Sequence, residues 1–371
     1  MNDLIAIRLK ALREERKLSQ DQLAAVFGFK DRQTVSAIET GERRISAEEL
    51  LTAVQKLGKP LEYFTDPFML VGEGQFSWRQ SGTPQKGLAG FEQSAGRAIA
   101  AYRNLAKEVG KRPEILRREL RLTAHSTFEQ AMAAGERFVE DYDLGDVPAD
   151  RLAQAMEEKL GILVLMVDAI KGISGAACRV RDLDAVLINR NEVVGRRNFD
   201  LAHELFHILT WEAMPPAHIE DASDGGAGPR RTGKKSRVEQ LADNFAGAVL
   251  MPRRVLERFG PWDNELPKRL NKVAAELRVS AKALKWRLVA AGLVDRATAD
   301  TVSDADLRNN GQAAGKSKLP TMFSKTFIEV IGAALLQGHV SMRRAAELLD
   351  VAVDDIPDLC TVYGLEAPDE L

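Results

Sequence analysis

Two cysteines, Cys178 and Cys360, stand far apart in 371 residues. That excludes a disulfide framework and a thiolate-ligated zinc site, and it suits the reducing cytoplasm where the protein is expected to reside. Histidine is nearly as scarce, with five residues. No apolar run approaches the roughly 20 residues that span a bilayer, so no membrane partner is expected. The first residues are charged and amphipathic, unlike a secretory leader. Neither sign of charge dominates: 52 Lys and Arg face 54 Asp and Glu, so whole-chain charge names no partner. What is present, 45% hydrophobic and 29% charged residues, is ordinary for a globular protein. The length allows two or three domains, each with its own core.

Two of the few histidines lie four apart, in His203-Glu204-Leu205-Phe206-His207. Within an apolar, helix-periodic stretch, that spacing puts both imidazoles on one helical face, about a turn from each other. They could take two corners of a tetrahedral zinc site, with Glu204 between them as general base. A hydrolytic zinc needs a third protein ligand and an open position. Downstream, Glu239 and Asp243 share one face of a helix whose apolar stripe is Ala242, Phe245, Ala246, Val249 and Leu250, ending at Met251-Pro252. Glu239 could be the third ligand, and Asp243 could accept the N–H of a ligating histidine and fix its tautomer. Spacing alone is equally consistent with both acids lying on a solvated face.

The runs RRNFDLAHELFHILT and VEQLADNFAGAVLMP together resemble the ImmA/IrrE family of zinc-dependent endopeptidases, over about residues 172–252. The resemblance implies His203, His207 and Glu239 as Zn2+ ligands and Glu204 as the catalytic base. The sequence departs from the family pattern at Phe206, where Gly is frequent.

The first sixty residues read as five short helices. Ile5, Leu9 and Leu12 make an apolar stripe. Ser19 and Gln22 form a capping box for a second helix ended by Gly28; Asp31 caps a third that stops at Gly41; Ser46 caps a fourth. Two short helices joined by a tight glycine turn follow the helix-turn-helix plan, and LSQDQLAAVFGFKDRQTVSAIETGERRIS resembles the XRE (Cro-type) repressor domain. The resemblance opens a recognition helix near Lys30. It makes Arg32, Gln33, Thr34 and Ser36 candidates for base-edge or phosphate contacts and Gln20 for a backbone contact, and Arg43 is a further DNA-binding candidate. Eleven basic residues in 1–68 are matched by eleven acidic ones. Affinity for DNA would then depend on the placement of Arg8, Arg13, Arg32, Arg43 and Arg44, and on dimerisation, not on net charge. The alternative is an XRE-like bundle used for protein contacts.

Residues 69–95, rich in Gly and Ser, read as a linker. Residues 91–140 look helical and basic, more in the manner of a solvated face than of a second nucleic-acid contact. A helix over 152–160 leads into a buried strand at 161–167, and 173–180 with 185–189 form a hairpin whose sheet edge could accept an extended substrate. Residues 215–235 form a Gly/Pro/basic loop, a lid or a self-cleavage segment being the alternatives to a plain surface loop. His218 within it could offer a transition-state hydrogen bond, although a loop histidine is more ordinarily solvent-exposed. Residues 270–294 and 338–349 repeat a helix-turn-helix rhythm.

The expected fold class is α+β and mostly helical. An N-terminal all-α helix-turn-helix domain (1–68) is followed by a linker (69–95), a small-sheet gluzincin-like metallopeptidase domain (96–265), a helical extension (266–302), a second linker (303–318) and a C-terminal helical module (319–371) that serves as interaction module or brace. The expected function is a transcriptional regulator with a zinc endopeptidase domain. Its partners would be a double-stranded DNA operator, a repressor-type protein substrate or its own chain, and a second copy in a homodimer. The alternatives are a transcription factor whose peptidase fold is a non-catalytic sensor, or a single-chain toxin–antitoxin or phage-type switch.

Overall fold

The computed structural model describes residues 2–80, 85–111, 116–221, 236–262, 265–311 and 319–366. The chain begins with five short helices: α1 (Asn2–Glu15), α2 (Gln20–Phe27), α3 (Arg32–Glu39), α4 (Ala47–Leu57) and α5 (Leu61–Thr65). Local chemistry sets their ends. Ser19 and Gln22 cap α2 reciprocally, Asp31 accepts from the backbone of Gln33 and Thr34, and Ser46 pairs with Glu49 in a second capping box. Leu9, Leu12, Leu23, Val35, Ile38, Leu57 and Phe64 close the core of this unit.

The linker expected at 69–95 is instead β1 (Gly74–Gln80) and the first half of α6 (Gln85–Glu108). In β1 the buried apolar residues are only Phe76 and Trp78, and the buried polar ones are Ser77 and Arg79. A strand that hides an arginine and a serine looks like polar loop in sequence.

Next come α7 (Phe128–Asp141), α8 (Leu152–Leu160), β2 (Ile162–Val167), β3 (Ile173–Val180), β4 (Leu183–Asn189), α9 (Val194–Thr210), the short β5 (Ile219–Asp221) and α10 (Arg237–Leu250). The helix, strand and hairpin expected over 152–189 are all present. The sheet has the order β2-β4-β3-β1-β5, larger than the hairpin foresaw because β1 and β5 extend it. β3 is antiparallel to both β4 and β1, while β5 runs parallel to β1. One face, with Val164, Ala177, Val186 and Ile188, packs on α7, α8, α9 and α10. The other, with Leu163, Leu165, Ala176 and Leu187, packs on α6 and the C-terminal helices. Two close approaches require glycine: a Cβ on Gly135 of α7 would stand 2.7 Å from the Phe245 carbonyl, and one on Gly195 of α9 would stand 2.6 Å from the backbone at Val279 and Ser280.

The chain continues through α11 (Arg253–Arg258), α12 (Leu266–Glu276), α13 (Ala281–Ala290) and α14 (Arg296–Asp300). Where a second linker was expected at 303–318, the described part is docked: Leu307 is buried and the Asn310 side chain bonds Val279 and Ala281 across the α12–α13 turn. Residues 312–318 lie outside the described residues.

α15 (Lys325–Leu336), α16 (Met342–Leu349) and α17 (Asp355–Val362) pack on α6 and the sheet. Phe323 N–H donates to the Met166 carbonyl at 2.7 Å, and Arg344 pairs with Asp66 at 2.5 Å. The segment braces both the sheet and the end of the first helical unit. Several basic residues of 91–140 are likewise engaged internally, Arg103 with Glu73 and Lys107 with Asp182. Among the described residues no helix is long and apolar enough to cross a membrane.

Candidate metal centre

α9 is a 17-residue helix, buried almost throughout its second half. Its spacing sets Asp200, His203, Glu204 and His207 along one face, and all four are fully buried. α10 crosses it with Glu239 in the first turn, where Ser236 caps the helix by accepting from Glu239 N–H. His203 Nε2 lies 3.1 Å from His207 Nε2; the two Glu239 oxygens lie 3.3 Å from His203 Nε2 and from His207 Nε2. Among the described residues this is the one group of three His, Cys, Asp or Glu side chains that could hold a metal ion.

The donor set fits a tetrahedral zinc. Metal–ligand bonds of about 2.0–2.2 Å give donor–donor edges of about 3.3–3.6 Å, within a few tenths of an ångström of the separations found. His203 Nδ1 stands 3.1 Å from Asp243 Oδ1. A proton held there leaves the Nε2 lone pair facing inward, beside the carboxylate of Glu239.

The buried carboxylates and imidazoles act strongly on one another. Burial alone would raise the pKa of Glu239, but its contacts with His203 and His207 hold it well below the usual carboxylate range. Burial and the charge of Arg79 push His203 down, yet the carboxylates of Asp243 and Glu239 leave it above its ordinary value. Glu204 lies against the sheet, its Cγ 3.6 Å from where a Cβ on Gly175 of β3 would stand. Phe206, the departure from the family pattern, is fully buried and packs 5.5 Å from Phe245 and edge-on to His207.

Sequence reasoning missed two residues beside the donors. Arg79 of β1 is 4% exposed, with its Nε 3.2 Å from Asp200 and Nη2 3.8 Å from Asp243. Asp200 also accepts from Arg196 at 2.9 Å. Despite burial, Asp200, Asp243, Glu204 and Glu239 raise the pKa of Arg79 above its ordinary value. Asp200, three before His203 on the same face, was findable from helical spacing. Arg79, 124 positions upstream, was not. A groove of about 820 Å3 opens beside the centre, its walls including Arg79, Phe199, Asp243, Gly247, Trp286 and Arg287.

His218 lies elsewhere, bonded to Glu92 at 2.8 Å and largely exposed. The basic run of the 215–235 loop falls outside the described residues. In the first unit, Arg32 and Gln33 are exposed at the start of α3, with Thr34 and Ser36 half-buried. Gln20 instead donates to Glu39 at 2.9 Å, and Arg43 grips Glu49 through two hydrogen bonds.

Residues 9–64 match the helix-turn-helix family, and residues 157–289 match the IrrE N-terminal-like domain. No curated protein and no solved structure matches the chain. The second match spans β2 to α13 and so covers α9, α10 and every donor of the candidate centre. The chain therefore joins an XRE-type helix-turn-helix domain to a metallopeptidase-type domain of the ImmA/IrrE family.

Proposed function

We propose that this chain is a DNA-binding transcriptional regulator whose ImmA/IrrE-type domain is a zinc-dependent endopeptidase. The carrying observation is the convergence of His203, His207 and Glu239 on one point, with Glu204 buried on the same helical face. Zinc bound there would supply Lewis acidity, polarising a carbonyl and bringing the pKa of water toward about 7. The protein's own contribution is positional. Asp243 would hold the His203 ring in one tautomer, Glu239 would balance charge, and Glu204 would accept a proton during attack on the amide and return it to the leaving nitrogen. An extended peptide would pair with the β3 edge beside α9 only where β1, which is hydrogen-bonded along that edge, gives way. The substrate would be a repressor-type partner or this chain itself. Arg32 and Gln33 would meet an operator, and a homodimer would supply affinity that the balanced charge of 1–68 does not.

The non-catalytic sensor reading has one observation in its favour: His203, Glu204 and His207 are fully buried, so no substrate reaches them without movement. Incubation of wild type and Glu204→Gln with candidate repressors separates the two. Cleavage by wild type alone supports the enzyme; equal absence of cleavage in zinc-loaded protein supports the sensor.

A further inference from the structure

The strand that brings Arg79 to the centre is not part of the domain matched at 157–289. β1 arrives from between the two matched segments and lies antiparallel on β3, over the register Gly74↔Val180 to Arg79↔Gly175. That β3 edge runs past Glu204, and antiparallel addition to a sheet edge is how an extended peptide is commonly held. We propose that β1 fills the substrate-strand site of this domain, with Asp200 and Asp243 forming a cation subsite within it. The ligands taken there are extended peptide segments bearing arginine or lysine. The inference rests on the peptidase reading.

The register determines which side chains face the centre. Directly paired residues point to the same face of a sheet. Arg79 therefore shares the α9 face with Gly175, the residue against Glu204. Trp78 pairs with Ala176 and is buried on the opposite face, where its indole donates to Glu92 at 2.5 Å. The Arg79 guanidinium enters between two carboxylates carried by the two helices that bear the metal donors, 3.2 Å from Asp200 and 3.8 Å from Asp243. The Phe199 ring lies 5.9 Å from it. On the β3 side the Arg79 carbonyl also accepts from the Ser174 hydroxyl, and on its other side β1 pairs with β5, Trp78 N–H donating to the His218 carbonyl. A peptide replacing β1 would repeat the ladder to β3, and a basic side chain opposite Gly175 would satisfy the two carboxylates. Without one, a buried carboxylate loses a partner, which is costly.

The test uses the full chain carrying Glu204→Gln, so that nothing is cut. The probe is a dye-labelled, capped heptapeptide GQFSWRQ, copied from residues 74–80, followed by fluorescence anisotropy. Adding Arg79→Ala vacates the subsite without touching a metal donor. The peptide should then bind at least about tenfold tighter than to the protein retaining Arg79, a factor worth about 1.4 kcal/mol. The same peptide with Ala in place of its Arg should lose that gain, and Arg79→Lys should stay near the parent. Hydrogen exchange gives a second readout should Arg79→Ala fold poorly. Excess heptapeptide should speed exchange at amides 75–79 of the parent while β3 stays protected. Equal binding to both proteins, affinity indifferent to the peptide's Arg, or β1 protected throughout peptide binding would overturn the proposal. None of these readouts needs hydrolysis. A wild type that cuts nothing would sink the peptidase reading and leave the strand-site result legible.

Discussion

Asp243 Oδ1 lies 3.1 Å from His203 Nδ1, on the side of the ring away from the other two donors. A ligating histidine oriented in this way holds its metal more tightly than an unsupported one. Asp243→Asn, which keeps size and loses charge, should therefore lower zinc affinity by about 10- to 100-fold, measured by competition with a chromophoric chelator. An unchanged affinity would mean that the contact is incidental.

In the first helical unit, exposure distinguishes residues free to meet DNA from those already engaged. Arg32→Ala or Gln33→Ala should weaken binding to a selected operator by about 1–3 kcal/mol each. Arg43→Ala should cost less, because Arg43 is bonded to Glu49. Electrophoretic mobility shifts at fixed salt would show the ranking, and a larger loss at Arg43 would reverse it.

The junction between the first unit and β1 depends on one buried cation. Arg8 is fully buried and donates to the carbonyls of Tyr63, Asp66 and Met69 at 3.0, 2.7 and 2.6 Å. Hydrogen bonds to charged groups contribute about 1.5–3 kcal/mol each but are not additive, so Arg8→Ala should cost about 3 kcal/mol in urea unfolding. Arg8→Lys should recover little, since an ammonium cannot reproduce the guanidinium fork.

Glu157 provides a pH signature away from the centre. Its carboxylate accepts from Val164 N–H and from the Thr326 hydroxyl, and burial pushes its pKa above the ordinary 4.5. A raised folded value means stability that is full below the unfolded pKa and is lost as pH rises through the folded one. The stability of Glu157→Gln relative to wild type should thus be flat below about pH 4.5 and improve as pH climbs above it, as thermal melts across pH would show. A difference independent of pH would contradict the assignment.

The sequence was most readable where function imposes spacing. His203, Glu204 and His207 announce themselves, and caps at Ser19, Asp31 and Ser46 mark helix starts because each needs a side-chain acceptor at a fixed offset. Glu239 could not be separated from a solvated face by spacing, since only the crossing of α9 and α10 turns it inward. β1 was invisible for a related reason: burial of Arg79 is tolerated only because Asp200 and Asp243, distant in sequence, meet it there. Residues 69–95 and 303–318 resemble linkers in sequence because of their Gly, Ser and Asn content. That content marks turns, but it does not reveal that a segment such as Asn310 will dock.

The proposed chemistry requires that His203, His207 and Glu239 together hold a zinc ion and that Glu204 serve hydrolysis beside it. The most direct measurement pairs metal analysis with cleavage of a repressor substrate for wild type, His203→Ala and Glu204→Gln. Wild type and Glu204→Gln should each carry about one equivalent of zinc and His203→Ala little, and wild type alone should cleave. Zinc retained at full occupancy in His203→Ala, or undiminished cleavage by Glu204→Gln, would contradict it.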